Sequence, residues 1–260
     1  MSRSLDLPQG ALRATAALGG LGLAWFLDAR RRSKRSALIH RTMVELLLNT
    51  LCSGDPTTAR HSRRVADMTD VVGGTFGMNR EARARLRVAA LLHDLGKLDG
   101  QLQPIIHSHH RLDQSERSRV EGHTYESADI LQPLEAIHPG ISHIVESHHE
   151  RWDGKGYPQG LTGPAIPLES RIISVADVFD AMTEPRSYKG ALGPDDALEE
   201  IRSGAGSRFD PQVVARLERP EVWSEWVRIA SRGQQDEQRK VEAEEEREKL
   251  QPAGQAERRG

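Results

Sequence analysis

Apolar residues recur along most of the chain at three- and four-residue intervals, and nowhere in the strict alternation that builds a sheet. The pattern predicts an all-helical fold. Leu38, Ile39, Met43, Leu46 and Leu47 place one amphipathic helix over 36–51, and Gly54-Asp55-Pro56 breaks the chain after it. Thr57 or Thr58 can cap the next helix, which carries His61, Val65, Met68, Val71 and Val72 and weakens at Gly73-Gly74 before Gly77 stops it. Asn79 caps a third, in which Ala82, Leu86, Ala89, Ala90 and Leu91 face a core and His93-Asp94 stand at the carboxyl end. Gly96, tolerant of positive φ, is expected to terminate it. The polar stretch 99–115 contains Pro104 and holds His107, His109 and His110, and it reads as a long solvent-exposed loop. Helices follow over 115–131, which carries His123, over 139–149, over 167–182, from Pro194, from Asp210-Pro211 and over 221–231.

Three regions follow from this pattern. Residues 37–232 hold the patterned helices. Residues 233–260 are charged or small apart from Val241 and Leu250, so they form a solvated tail or fraying helix. Residues 1–36 hold a hydrophobic segment and a basic linker. Between Pro8 and Leu27 the one charge is Arg13, which makes this a marginal membrane anchor; a packed peripheral helix and a signal segment are the alternatives. The block Arg30-Arg31-Arg32-Ser33-Lys34-Arg35 would keep everything after it in the cytoplasm if the segment inserts in the inner membrane.

Composition narrows the function classes. A net charge of −2 over 260 residues gives no field for a nucleic acid polymer. Cys52, the single cysteine, excludes an intramolecular disulfide and a thiolate-rich metal site.

The chemistry lies in imidazoles and carboxylates. His148-His149 end an apolar helical run (Ile141, Ile144, Val145) and precede the turn-rich loop Glu150-Arg151-Trp152-Asp153-Gly154-Lys155-Gly156-Tyr157-Pro158-Gln159-Gly160-Leu161. Asp177 sits inside the apolar run Ile172–Phe179, where a carboxylate is expensive to bury unless a cation or donor compensates it. With His61, His93, Asp94 and His123 these make seven candidate metal ligands of a type that suits iron, manganese, zinc or nickel. Seven exceed what one octahedral ion can use beside a substrate, so two metals sharing a bridging carboxylate is the economical count. Such a pair attracts a phosphodiester and activates a water as hydroxide at neutral pH. Lys97, one turn past Asp94, and Arg186 with Lys189, just past the Asp177 helix, are spaced to contact phosphate.

The order of these motifs resembles the HD-GYP domain, a branch of the HD metal-dependent phosphohydrolases. The matching residues are His61-Ser62-x-Arg64-Val65, Ala89-Ala90-Leu91-Leu92-His93-Asp94-Leu95-Gly96-Lys97, the His148–Leu161 loop, Ile166-Pro167-Leu168-x-x-Arg171-Ile172, Val175-Ala176-Asp177-x-x-Asp180-Ala181 and Phe209-Asp210-Pro211. The resemblance covers residues 42–217. It implies an all-α domain that hydrolyses cyclic di-GMP to the linear dinucleotide and, in some members, to GMP. It also implies that Asp94 bridges the metals, that Lys97 assists at the reacting phosphate, that Arg186 and Lys189 hold phosphate, and that Gly156, Tyr157 and Pro158 shape the substrate loop. Members with three metals carry a glutamate one turn before the first histidine; Thr57 stands there, so two are expected. The sequence departs from the family at Asp99-Gly100-Gln101-Leu102-Gln103-Pro104, at His109-His110-Arg111-Leu112 and after His123, where Thr124-Tyr125-Glu126-Ser127 follows. These departures flank the expected cleft and bear on substrate identity. Two other readings stand beside this one: a phosphohydrolase for a different cyclic dinucleotide or nucleotide, and a catalytically silent module that binds a nucleotide or docks a signalling protein through the Tyr157 loop.

Overall fold

The computed structural model describes residues 42–46, 48–49, 56–98, 100–106, 108, 110–184 and 191–232. The segments 1–36 and 233–260, and with them the anchor at 8–27 and the charged tail, lie outside the described residues, as do Arg186 and Lys189. Among the described residues no helix is long and apolar enough to cross a membrane, and no strand forms beyond two isolated bridges.

Residues 42–46 and 48–49 are helical and belong to a unit separate from the rest. Within them Val44 and Leu48, one turn apart, are the buried pair, while Met43 and Leu46 are exposed. The predicted apolar face was therefore rotated by about one residue.

The second unit begins with α1 (Pro56–Thr75), which runs through Gly73-Gly74 without interruption. α2 (Arg80–Leu92) starts where expected, because the Asn79 side chain accepts a hydrogen bond from the Ala82 amide at 2.8 Å. α2 gives way to a 3-10 turn (Leu95–Leu98), so Gly96 does not end the helix through a positive φ. Its reason is proximity: a Cβ there would lie 2.4 Å from the His123 carbonyl oxygen and 2.9 Å from Glu126 Cβ. Gly96 lets the turn bearing His93 and Asp94 close directly on the helix bearing His123. The Gly96 amide also donates to Ser127 Oγ at 2.8 Å, tying the two segments together.

The expected loop over 99–115 contains a short helix, α3 (Gln103–Ile106), anchored by buried Leu102. His107 and His109 lie outside the described residues, and His110 is exposed and pairs with Glu116 at 3.0 Å. α4 (Gln114–Glu121) opens with a capping box in which Asp113 and Glu116 satisfy each other's main-chain amides. The single helix expected over 115–131 is instead two. Gly122, itself in the right-handed helical region (φ −60°, ψ −22°), separates α4 from α5 (His123–Leu131), and His123 is fully buried.

α6 (Ile141–Glu146) is shorter than its apolar run, and His148-His149 follow in turn conformation. α7 (Leu168–Thr183) carries Asp177 as expected. α8 (Pro194–Ser203) and α9 (Pro211–Leu217) begin at their prolines, with the Asp210 side chain accepting from the Gln212 amide at 2.7 Å. Residues 220–232 form the last described helix. α1 packs on α2 and α7, and α5 packs on α6 and on the 3-10 turn after α2. Trp226, fully buried, closes this core: its indole N–H donates to the Met68 carbonyl at 3.0 Å and its ring lies 5.2 Å from Phe179. The packing gathers three helix ends and the face of a fourth helix around one point.

Candidate metal centre

The ends of α2, α5 and α6 and the inner face of α7 converge on Asp94. His93 Nε2 lies 3.4 Å from Asp94 Oδ2, and His123 Nε2 and His148 Nε2 lie 3.5 and 3.7 Å from Oδ1. The rings of His93, His123 and His148 stand within 5.4 Å of one another in two contacts, and His149 lies 4.0 Å from His148 and 5.1 Å from His123. On the opposite side His61 Nε2 is 3.2 Å from Asp177 Oδ1, which is 3.9 Å from His93 Nε2. The structure thus brings all seven expected ligands together.

Helix-end geometry sets the imidazole protons. The Nδ1 atoms of His93, His123 and His148 each face the carbonyl oxygen three residues earlier, on Ala90, Val120 and Val145, at 2.8, 2.5 and 2.5 Å. A carbonyl only accepts, so Nδ1 carries the proton and Nε2 presents its lone pair to the centre. All three Nε2 atoms are buried and have no hydrogen-bond partner among the described residues. One such orphan costs about 1–3 kcal/mol. Three aimed at one carboxylate fit a bound cation, which would satisfy them together.

Burial pushes His148 down to about 4 and holds His149 well below the ordinary imidazole range, so both are neutral imidazoles at neutral pH, the form that can bind a metal. Burial alone would raise Asp94, but its neighbours His93 and Lys97 and contacts with His123 and His148 hold it well below the carboxylate range. Burial would likewise raise Asp177, yet His61 holds it down. His61 is the exception: burial opposes its charge, but contacts with Asp177 and Asp180 carry it up to about 10. A metal taken at His61 must displace that proton.

The donors form two groups. Asp94, His123, His148 and His149 each offer an atom within 4.8 Å of the others, and so do His61, His93 and Asp94. Asp94 is common to both. A third group, His61 with Asp180 and Glu184, was not anticipated. Arg64 already occupies it, donating through Nε and Nη2 to Asp180 at 2.6 and 2.8 Å and pairing with Glu184 at 2.7 Å. Asp180 meets His61 Nδ1 at 2.7 Å and thereby orients the ring toward Asp177. The Arg64 and Asp180 motif positions were visible in the sequence, but not their pairing across 116 residues.

Lys97 extends from the 3-10 turn to donate to Asp94 Oδ2 at 2.9 Å, and it is one-quarter exposed. Gly156, Tyr157 and Pro158 lie half-buried beside His149, with the Tyr157 ring 4.9 Å from it. A Cβ on Gly156 would meet the Arg151 nitrogen at 2.4 Å and the His149 oxygen at 2.6 Å, so only glycine lets the loop double back here. Burial, then the charges of Asp94, Glu121 and Asp177, push the Tyr157 phenol upward, which keeps it a hydrogen-bond donor.

Glu150, also without an assigned role in the sequence, holds this loop. It is buried and accepts from the main-chain amides of Gln159 and Leu161 at 2.7 and 3.0 Å. In Glu150→Gln one of those amides faces a donor. Urea titration is expected to show a stability loss of about 1–3 kcal/mol, the cost of one buried unsatisfied group, with bound metal retained.

Comparison with known proteins decides the family. A model described as HD domain matches residues 45–213, well over half of the chain. The chain belongs to the HD domain family. It is 38% identical over 164 residues to 3′3′-cGAMP-specific phosphodiesterase 3 of Vibrio cholerae, covering 63% of this chain and 35% of that protein. It is 36% identical over 161 residues to a cyclic di-GMP phosphodiesterase of Thermotoga maritima, covering 62% and 44%. The HD chain thus spans less than half the length of these curated relatives. The crystal structure of a cyclic GMP-AMP specific phosphodiesterase of V. cholerae shares the fold, with a TM-score of 0.54 at 23% identity over 74% of this chain and 53% of that one.

Proposed function

We propose that this chain is an HD-GYP-type, metal-dependent phosphodiesterase that opens a cyclic dinucleotide, with cyclic di-GMP as substrate and linear pGpG, GMP or both as product. The observation that carries the reading is the pair of ligand groups sharing Asp94. Two divalent ions, iron or manganese ahead of zinc or nickel, would be held by His61, His93, Asp94 and Asp177 on one side and Asp94, His123, His148 and His149 on the other. Thr57 and the neutralisation of Asp180 and Glu184 by Arg64 favour two ions over three. When bound, such a pair supplies Lewis acidity and lowers the pKa of a coordinated water.

The chain's own residues do the rest. Lys97 stands beside Asp94 to take up charge on the reacting phosphate, Tyr157 donates from the loop, and Gly156 and Pro158 shape the loop that seats the substrate. Arg186 and Lys189 add phosphate contacts. The catalytic unit is residues 37–232, acting on the cytoplasmic side, with residues 8–27 as its inner-membrane anchor; retention of the full chain in membranes until detergent is added tests that part. The Tyr157 loop also offers a docking surface to a signalling protein.

A second reading keeps the chemistry and makes 3′3′-cGAMP the substrate. It is favoured by the V. cholerae relatives named for that molecule and by the departures between Asp99 and Ser127. Chromatography of cyclic di-GMP, 3′3′-cGAMP and cyclic di-AMP digests decides between them: preferential turnover of cyclic di-GMP supports the first reading, preferential turnover of 3′3′-cGAMP the second. Turnover of none of them overturns both.

A further inference from the structure

The segment after α8 places an arginine at the foot of the Tyr157 loop. The chain turns tightly at Gly206, whose φ is +78° and whose amide donates to the Phe209 carbonyl at 2.9 Å. Two main-chain bonds then clip this turn to the loop: the Trp152 amide donates to the Arg208 carbonyl at 3.2 Å and the Asp153 amide to the Ser207 carbonyl at 2.8 Å. Behind it Phe209 and Asp210 are buried, and Asp210 is held by Arg171 at 2.5 Å. The Arg208 backbone is therefore fixed from both sides.

Its side chain is exposed, with the guanidinium 5.1 Å from the centre of the Phe209 ring. Neighbouring Arg151 is committed to Asp153 through two bonds of 3.0 and 2.7 Å. Arg208 has no carboxylate partner among the described residues. Partial burial and the charge of Arg151 lower its pKa, while Asp177 and Tyr157 act the other way. Lys97 lies on the Asp94 side, while the Arg208 main chain is clipped to the base of the loop that carries Tyr157.

A cyclic dinucleotide carries two phosphodiesters, and one metal centre addresses one of them. The other enters beside the Tyr157 loop as an anion and calls for cations, to which Arg208 would add one beside the phosphate contacts of Arg186 and Lys189. A guanidinium braced on an aromatic ring and rooted in a clipped backbone meets that need with little ordering cost. We propose that Arg208 is a substrate-binding residue that holds the phosphodiester not being cleaved. The assignment rests on the reading of the protein as a cyclic-dinucleotide phosphodiesterase. Sequence inspection passes over Arg208 because Phe209-Asp210-Pro211 beside it reads as a helix start.

The test uses the full chain, its Arg208→Ala and Arg208→Lys variants, the cyclic dinucleotide that the unaltered protein hydrolyses, and bis(p-nitrophenyl) phosphate, which has a single phosphodiester. In Arg208→Ala, KM for the dinucleotide is expected to rise about 10- to 100-fold, the scale of one charge-assisted hydrogen bond, with metal content retained. The ratio of kcat/KM for dinucleotide over reporter falls by the same factor, and Arg208→Lys is intermediate. An unmoved ratio, or equal losses on both substrates together with loss of metal, overturns the Arg208 assignment alone. Hydrolysis of the reporter but of no cyclic dinucleotide by the unaltered protein overturns the functional reading, and this assignment with it.

Discussion

Asp94→Asn is expected to lose bound metal and phosphodiesterase activity together. Asp94 is the residue common to both ligand groups, and its two oxygens lie 3.4–3.7 Å from three histidine nitrogens. Asparagine keeps the shape and removes the charge, so each ion loses an anionic ligand at once. Removing an outer-shell partner already costs about 10- to 100-fold in metal affinity or activity, and loss of a shared inner ligand is expected to exceed that. Elemental analysis and turnover on the same purified variant provide the check. Full turnover with a full metal complement would mean that Asp94 does not bridge.

The second large effect is expected at Lys97. Its ammonium contacts Asp94 yet remains one-quarter exposed, so it can move from carboxylate to phosphate without leaving the site. Lys97→Ala should retain metal and lower kcat by roughly 10²–10³-fold, the usual cost of one group that stabilises transition-state charge. Steady-state kinetics beside a metal assay distinguish this from a structural role. Unchanged kcat with intact metal would leave Lys97 as no more than the ion-pair partner of Asp94.

How much of this was legible in the sequence depended on the range of the interaction. Local signals worked: Asn79, Pro194 and Asp210-Pro211 opened helices where their capping chemistry said they would. The seven candidate ligands stood out because imidazoles and carboxylates at the ends or on the apolar faces of helices are costly without a cation. Tertiary contacts were not legible. Gly96 looked like a helix stop and is a close approach to His123. The apparent helix over 115–131 is divided at Gly122, a division that the apolar spacing does not mark. Glu150 read as one letter of a motif, and its partners are amides nine and eleven residues on. Arg64 reaches Asp180 across 116 residues, a pairing that no local pattern encodes.

The central claim is a metal pair built around Asp94 that cleaves a cyclic dinucleotide. Its most direct test is elemental analysis of anaerobically purified protein, joined to chromatography of a cyclic di-GMP digest from the same sample. About two iron or manganese ions per chain, the count of a two-metal phosphodiesterase site, with conversion to linear product, is the predicted result. A folded protein that binds no metal, or one that holds two ions and leaves every cyclic dinucleotide intact, would contradict it.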